Sequence, residues 1–246
     1  MGIEIHRDRK NGVLGLSQKA YLEKVLKKYN MHASNATPAP IVKGDSFGKF
    51  QCPKNQYEID QMKGVPYASA VGSLQYAQVC TSPDLAFVTG VLGRYQENPG
   101  IEHWKMVKKA LRYAQGTKDL MLTYRRSDSL EIRGYSDANF VGDKDDRKST
   151  SGYMFTLAGG AILWRSSKQT IVASSTMYAE FIACYEPTGQ AIWLKKFMPD
   201  LKVVDCIDKS LKMYCDNQPA VFYAHNKSSN ATKPIEIKYY VVKDKI

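Results

Sequence analysis

Cysteine and histidine are scarce. The 246 residues hold five cysteines and four histidines, and no two cysteines form a C-x-x-C pair. That spacing excludes the common zinc motifs and argues against a disulfide framework. Cys52, Cys80, Cys184, Cys206 and Cys215 are expected to be idle thiols in a reducing compartment. Long apolar runs are also lacking. Nothing approaches the ~20 residues of a membrane span, and the opening Met1-Gly2-Ile3-Glu4-Ile5-His6-Arg7 has no apolar signal-peptide core. The expectation is a cytosolic or nuclear protein with no membrane partner.

Positive charge is abundant and uneven. The formal net charge is +11. Residues 1–129 carry 19 Lys and Arg against 11 Asp and Glu, and residues 130–246 carry 16 against 13. A basic first half beside a more acidic second half suits a polyanion grip next to a metal site, although a merely basic protein would show the same balance.

The first half reads as hairpin, loop and helices. Ile3-Glu4-Ile5 and Val13-Leu14-Gly15-Leu16 flank Asn11-Gly12, a hairpin signal. Ser17 is expected to cap a helix with Tyr21, Leu22, Val25, Leu26 and Tyr29 on one face. Residues 32–65, with Pro38, Pro40, Gly44, Gly48 and Pro53, have no clear period. They predict a long wrap packed on something outside the chain, because structureless loops of that length are unusual within a domain. Helices are expected over roughly 67–80, from Ser82-Pro83-Asp84, and from near Asn98-Pro99 to a C-terminal Gly116. In the last of these, Trp104, Val107, Leu111 and Ala114 form an apolar stripe. Lys105, Lys108, Lys109 and Arg112 share one other face. Those four either form a solvated outer surface or track phosphates.

From about residue 120 the period shortens. Leu130, Ile132 and Gly134 alternate with Glu131, Arg133 and Tyr135, a half-buried strand. Strands at 153–157 and 161–164 bracket Gly159-Gly160. Ser174 or Ser175 caps a helix that Pro187 should kink or end near Glu186. A short strand at 211–215, a helix at 217–225 and a weaker helix at 234–245 follow. The order predicts an α/β layer, an antiparallel meander with a crossover to a parallel strand.

Three carboxylates then stand out. Asp137 ends a strand, Glu180 lies in the first turns of a helix, and Asp216 ends a short strand before another helix. Such sheets place sites beyond the carboxyl ends of strands. Three carboxylates meeting there would form an oxygen-only site suited to Mg²⁺ or Mn²⁺, and a pair of such ions hydrolyses phosphodiesters. Each acid also has a plainer reading. Asp216-Asn217 could be an N-cap pair, Asp137 a solvated strand end, and Glu180 a surface helix residue.

The ordered blocks Ser136-Asp137, Arg147-Lys148-Ser149-Thr150-Ser151-Gly152-Tyr153, Trp164-Arg165-Ser166-Ser167-Lys168-Gln169, Ser174-Ser175-Thr176, Ala179-Glu180-Phe181 and Tyr214-Cys215-Asp216-Asn217 resemble the ribonuclease H domain of copia-type LTR retrotransposons. Gly15-Leu16-Ser17-Gln18, Tyr67-Ala68-Ser69-Ala70-Val71-Gly72-Ser73-Leu74 and Arg112-Tyr113 with Gln115-Gly116-Thr117 are similar to the preceding part of the same Pol polyprotein. The resemblance implies a mainly helical thumb- or connection-like segment at 1–126. It implies a ribonuclease H-like mixed sheet with flanking helices at 127–246, incomplete at its C-terminus.

It further implies that Asp137, Glu180 and Asp216 are catalytic ligands of two Mg²⁺ or Mn²⁺ ions. The substrate would be the RNA strand of an RNA–DNA hybrid. Lys105, Lys108, Lys109, Arg112, Arg147 and Lys148 would grip the hybrid or duplex. The polymerase motif is absent, and the family's fourth acid is expected to be missing, with Glu236 a possible stand-in. Tyr178 and Tyr240 replace common family residues. The alternative expectation is a truncated, non-catalytic nucleic-acid-binding remnant of the polyprotein.

Overall fold

A computed structural model describes residues 2–42, 44–127, 130–200 and 211–225. The chain falls into two compact units, 1–125 and 126–246.

In the first unit, β1 (Glu4–Asp8) and β2 (Val13–Ser17) form the expected hairpin, and Gly12 takes a left-handed φ of 62°. Beside β2 runs β3 (Leu122–Arg125), an antiparallel partner more than a hundred residues away. Helix α1 (Lys19–Lys28) starts at Gln18, while Ser17 Oγ accepts the Lys19 N–H at 3.1 Å. Helix α3 (Tyr67–Cys80) has the expected limits. At Ser82-Pro83-Asp84 a 3₁₀ turn intervenes before α4 (Ala86–Gly93), and the Ser82 hydroxyl caps nothing.

Helix α5 (Ile101–Thr117) buries Val107, Leu111 and Ala114 against α1, α3 and α4. It runs straight through Gly116, so that glycine is not a C-terminal cap. A Cβ there would lie 2.9 Å from the Ala36 Cβ, and close approach of the 32–65 segment accounts for the glycine. That segment wraps the unit's own α5, contrary to the expectation of an outside partner. Thr37 Oγ1 donates to the Lys109 carbonyl at 3.4 Å, and Phe47 joins the core. The segment also holds an unexpected helix, α2 (Gln56–Met62), capped where Asn55 Oδ1 accepts the Glu58 N–H.

The second unit is a mixed α/β layer. Its sheet runs β6-β5-β4-β7, with β4 (Arg133–Asn139), β5 (Thr150–Leu157), β6 (Gly160–Lys168) and β7 (Lys212–Cys215). The first three form an antiparallel meander, and β7 joins β4 in parallel. The hairpin turn between β5 and β6 is Ala158-Gly159, both with positive φ, one residue earlier than the glycine pair suggests. Helices α6 (Thr176–Ala183), α7 (Tyr185–Asp200) and α8 (Gln218–His225) supply two apolar clusters. One joins α6 and α8 with Ala138; the other joins α7 with Ile132, Tyr153 and Phe155.

The break between α6 and α7 falls at Cys184, three residues before Pro187. Proline lacks an N–H and is tolerated in a first turn, so the new helix begins just upstream of it. Gly134 sits where β4, β5 and β7 press together. A Cβ there would meet Met213 Sδ at 2.2 Å and Phe155 Cε1 at 2.7 Å. Among the described residues no helix is long and apolar enough to cross a membrane. The expected helix at 234–245, Glu236, Tyr240 and Cys206 lie outside the described residues.

Candidate metal and nucleic-acid site

Strand register brings two of the acids together. The last β4–β7 pair is Ser136 with Cys215. One residue further, exposed Asp216 follows the end of β7, while exposed Asp137 does not end its strand as expected but lies two residues short of the β4 terminus at Asn139. The third acid arrives from below. Ser175 Oγ caps α6 by accepting the Tyr178 N–H. Gln169 Nε2 ties that helix to the sheet, donating to the Ala179 carbonyl at 2.8 Å and to Ser151 Oγ at 2.9 Å. Ala179 and Phe181 sink into the core, and Glu180 between them is only 4% exposed.

Glu180 is therefore no surface helix residue. Its Oε1 accepts the Ala138 N–H at 3.2 Å, and its Oε2 receives the Cys215 thiol at 3.9 Å. Among the described residues no lysine, arginine or histidine pairs with it. Burial pushes its carboxyl up to about 7, aided by negative charge from Cys215, Asp137 and Asp216 and opposed by the Ala138 N–H. The N-cap reading of the Asp216-Asn217 pair holds for its second member. Asn217 Oδ1 accepts the Ala220 N–H at 2.9 Å, so Asn217 performs that role for α8.

Sulfur is the unexpected component. Cys215 Sγ, a Glu180 oxygen and an Asp216 oxygen all lie within 4.8 Å of one another. Behind them Cys184 Sγ is 3.3 Å from Ser136 Oγ. A hydrogen bond from Cys184 holds the Cys215 thiol below its ordinary value, against burial, while Cys184 is pushed up. Asp137 lies outside this tightest group, although its charge reaches Glu180. Sequence spacing could not reveal the thiols, since they come from different elements. Tyr178, at a position where the resembled family has an acid, packs edge-on against Tyr223 of α8.

The basic residues are placed unequally. Arg147 and Lys148 lie on the β4–β5 loop, at the same end of the sheet as the acids. Buried Asp143 anchors that loop: its Oδ1 accepts the Asp145 N–H at 2.9 Å, and its Oδ2 pairs with Lys168 at 3.0 Å. Exposed Arg147 takes a φ of 54°, uncommon for a residue with a side chain. On α5, Lys105 pairs with Glu102 at 2.6 Å, and Lys109 pairs with Asp45 at 2.5 Å in a mostly buried contact. Arg112 Nε is buried with no hydrogen-bond partner among the described residues, and Lys108 is half-buried. The four do not form one open basic face.

No family model matches the chain, and no solved structure matches it. Curated proteins do. The retrovirus-related Pol polyprotein from transposon TNT 1-94 of Nicotiana tabacum is 42% identical over 247 aligned positions, covering all of this chain. That from transposon RE2 of Arabidopsis thaliana is 29% identical, again over the whole chain. The chain spans 18% and 16% of these two relatives. The secreted RxLR effector protein 161 of Plasmopara viticola is 47% identical over 133 residues, 54% of this chain and 94% of that protein. With similarity to transposon polyproteins running through both units, the chain belongs to the Pol polyproteins of copia-type retrotransposons.

Proposed function

We propose that the second unit is a ribonuclease H-like domain that hydrolyses the RNA strand of RNA–DNA hybrids. The observation that carries this reading is Glu180, a buried carboxylate with no cationic partner among the described residues, set against Asp137 of β4 and Asp216 just past β7. A buried, uncompensated carboxylate is costly unless a proton or cation joins it. The donor set fits a hard divalent ion, since Glu180, Asp216 and Asp137 offer carboxylate oxygens.

Asp137, Glu180 and Asp216 would hold Mg²⁺ or Mn²⁺. When bound, such ions activate water and stabilise the leaving oxygen of a phosphodiester. The chain's own residues do the rest. Gln169 fixes the height of α6 and so the position of Glu180. The Ala138 N–H holds one Glu180 oxygen and leaves the other facing Cys215. Asp143 and Lys168 brace the loop that presents Arg147 and Lys148 to phosphates, which are contacted without regard to base sequence.

Cleavage of an RNA–DNA hybrid by the 246-residue chain in Mn²⁺ tests the reading. Hydrolysis that Glu180→Gln and Asp137→Asn each abolish supports it. Hybrid binding without cleavage, unchanged by either substitution, would favour a non-catalytic nucleic-acid-binding segment of the polyprotein.

A further inference from the structure

Among the described residues, the metal-capable donor atoms that gather in this unit are not three oxygens. Cys215 Sγ, a Glu180 carboxylate oxygen and an Asp216 carboxylate oxygen lie mutually within 4.8 Å. They come from the end of β7, from α6 and from the turn before α8. A four-coordinate ion with Zn–S near 2.3 Å and Zn–O near 2.1 Å needs ligand separations of about 3.5 Å. Small rotamer changes close that gap. Thiolate sulfur is a poor ligand for Mg²⁺ and a good one for borderline-soft ions.

A second observation points the same way. Glu180 is 4% exposed, and its Oε2 has the Cys215 thiol, 3.9 Å away, as its contact. That distance is long for a hydrogen bond to a carboxylate, even from sulfur. Among the described residues no cation pairs with Glu180, while Lys195 and Lys196 line the cavity that Cys215 borders on its other side. Cys184, itself 3.3 Å from Ser136 Oγ, braces Cys215 from behind. Metal ligands are commonly oriented by such neighbours.

We propose that Cys215, Glu180 and Asp216 form a site for one thiophilic divalent cation of the Zn²⁺ class, with its fourth position left to solvent. The site shares Glu180 and Asp216 with the proposed hydrolytic centre, so Zn²⁺ and Mg²⁺ exclude each other there. Only this mutual exclusion rests on the ribonuclease H reading; the thiolate site stands without it.

Co²⁺ serves as the spectroscopic probe on the full, reduced 246-residue chain. The expected result is one bound ion, a thiolate-to-cobalt charge-transfer band, and visible bands of tetrahedral intensity that added Zn²⁺ displaces. Cys215→Ser should remove the charge-transfer band and weaken Zn²⁺ binding at least ~10-fold, about 1.4 kcal/mol. Glu180→Gln should weaken it similarly while keeping the band. The triple variant Cys52→Ser, Cys80→Ser and Cys206→Ser, which leaves Cys184 behind Cys215, should keep both band and affinity. Alkylation mapping of the unmodified chain gives a readout independent of variant folding: Zn²⁺ should protect Cys215 selectively.

A full band in Cys215→Ser, loss of the band in the Cys52→Ser, Cys80→Ser, Cys206→Ser chain, or equal alkylation of Cys215 with and without Zn²⁺ would overturn the proposal. Failure to cleave hybrids while the cobalt band persists would reject only the hydrolytic reading.

Discussion

Replacing Glu180 by Gln should stabilise the second unit at alkaline pH and do little at acid pH. In the folded protein this carboxyl is raised from an ordinary 4.5 to about 7. At about 1.4 kcal/mol per pH unit, forcing the charged form costs roughly 3 kcal/mol. Water reaches Asp137 and Asp216, so screening reduces that to about 1–2 kcal/mol. The sign follows from proton counts. Below the unfolded value both states hold the proton and there is no penalty. Between about 4.5 and 7 the folded state holds it and the unfolded state does not, so stability falls as pH rises. Above about 7 the whole penalty is present.

Gln keeps the acceptor for the Ala138 N–H and carries no charge. With a chelator present, urea unfolding should show the Gln variant about 1–2 kcal/mol more stable than the parent near pH 8. Near pH 5 the two should be nearly equal. A Trp104→Phe background confines tryptophan fluorescence to Trp164 and Trp193 of the second unit. Adding Mn²⁺ should reverse the order, because only the parent gains a cation. If the difference between the two proteins is the same at both pH values, within about 0.5 kcal/mol, the burial and crowding of Glu180 are wrong.

Four further outcomes follow from the packing. Replacing Arg147 and Lys148 together by Gln should weaken hybrid binding and lower the slope of log affinity against log salt by up to about 1.8, read by fluorescence anisotropy. Lys109→Gln should act on stability instead, costing about 1–3 kcal/mol in urea melts by stranding Asp45, whose side chain is 15% exposed. Gly116→Ala should fail to deliver the roughly 1 kcal/mol that a helix interior usually gains, since its Cβ meets Ala36; a thermal melt showing the full gain would contradict the close approach. Gln169→Ala should cost about 1–3 kcal/mol and lower divalent-metal affinity measured by calorimetry, because it frees the helix that carries Glu180.

Local signals were legible. The Asn11-Gly12 hairpin, the limits of α3, the buried stripe of α5 and the strand–helix order of the second unit all follow from short-range periodicity and turn chemistry. Asp216 was visible because it stands where β7 ends, whereas Asp137 and Glu180 lie inside β4 and α6 and were picked out by the family resemblance. What escaped was non-local. Strand β3 has no pattern of its own and exists because β2 offers an edge. The 32–65 segment looked structureless because its order comes from α5. Gly116 reads as a helix stop only until Ala36 is placed beside it. Ser82 offered a cap that the 3₁₀ turn made needless. Cys184 and Cys215 are 31 positions apart and became neighbours only when α6 crossed the end of β7.

Gly134 leaves a vacancy in its sheet face that two neighbours fill. It lies three residues before Asp137, and the room its missing side chain leaves is filled by Met213 of β7 and Phe155 of β5. Any added atom at this position must push against Met213, which shares its strand with Cys215 and stands three residues before Asp216. A graded series at position 134, from Gly through Ala to Val, would displace those two side chains while the hydrogen-bonded ladder holds the strands about 4.8 Å apart. Stability should then fall with each added methyl, by volume alone, while the acids at the strand edge keep their places.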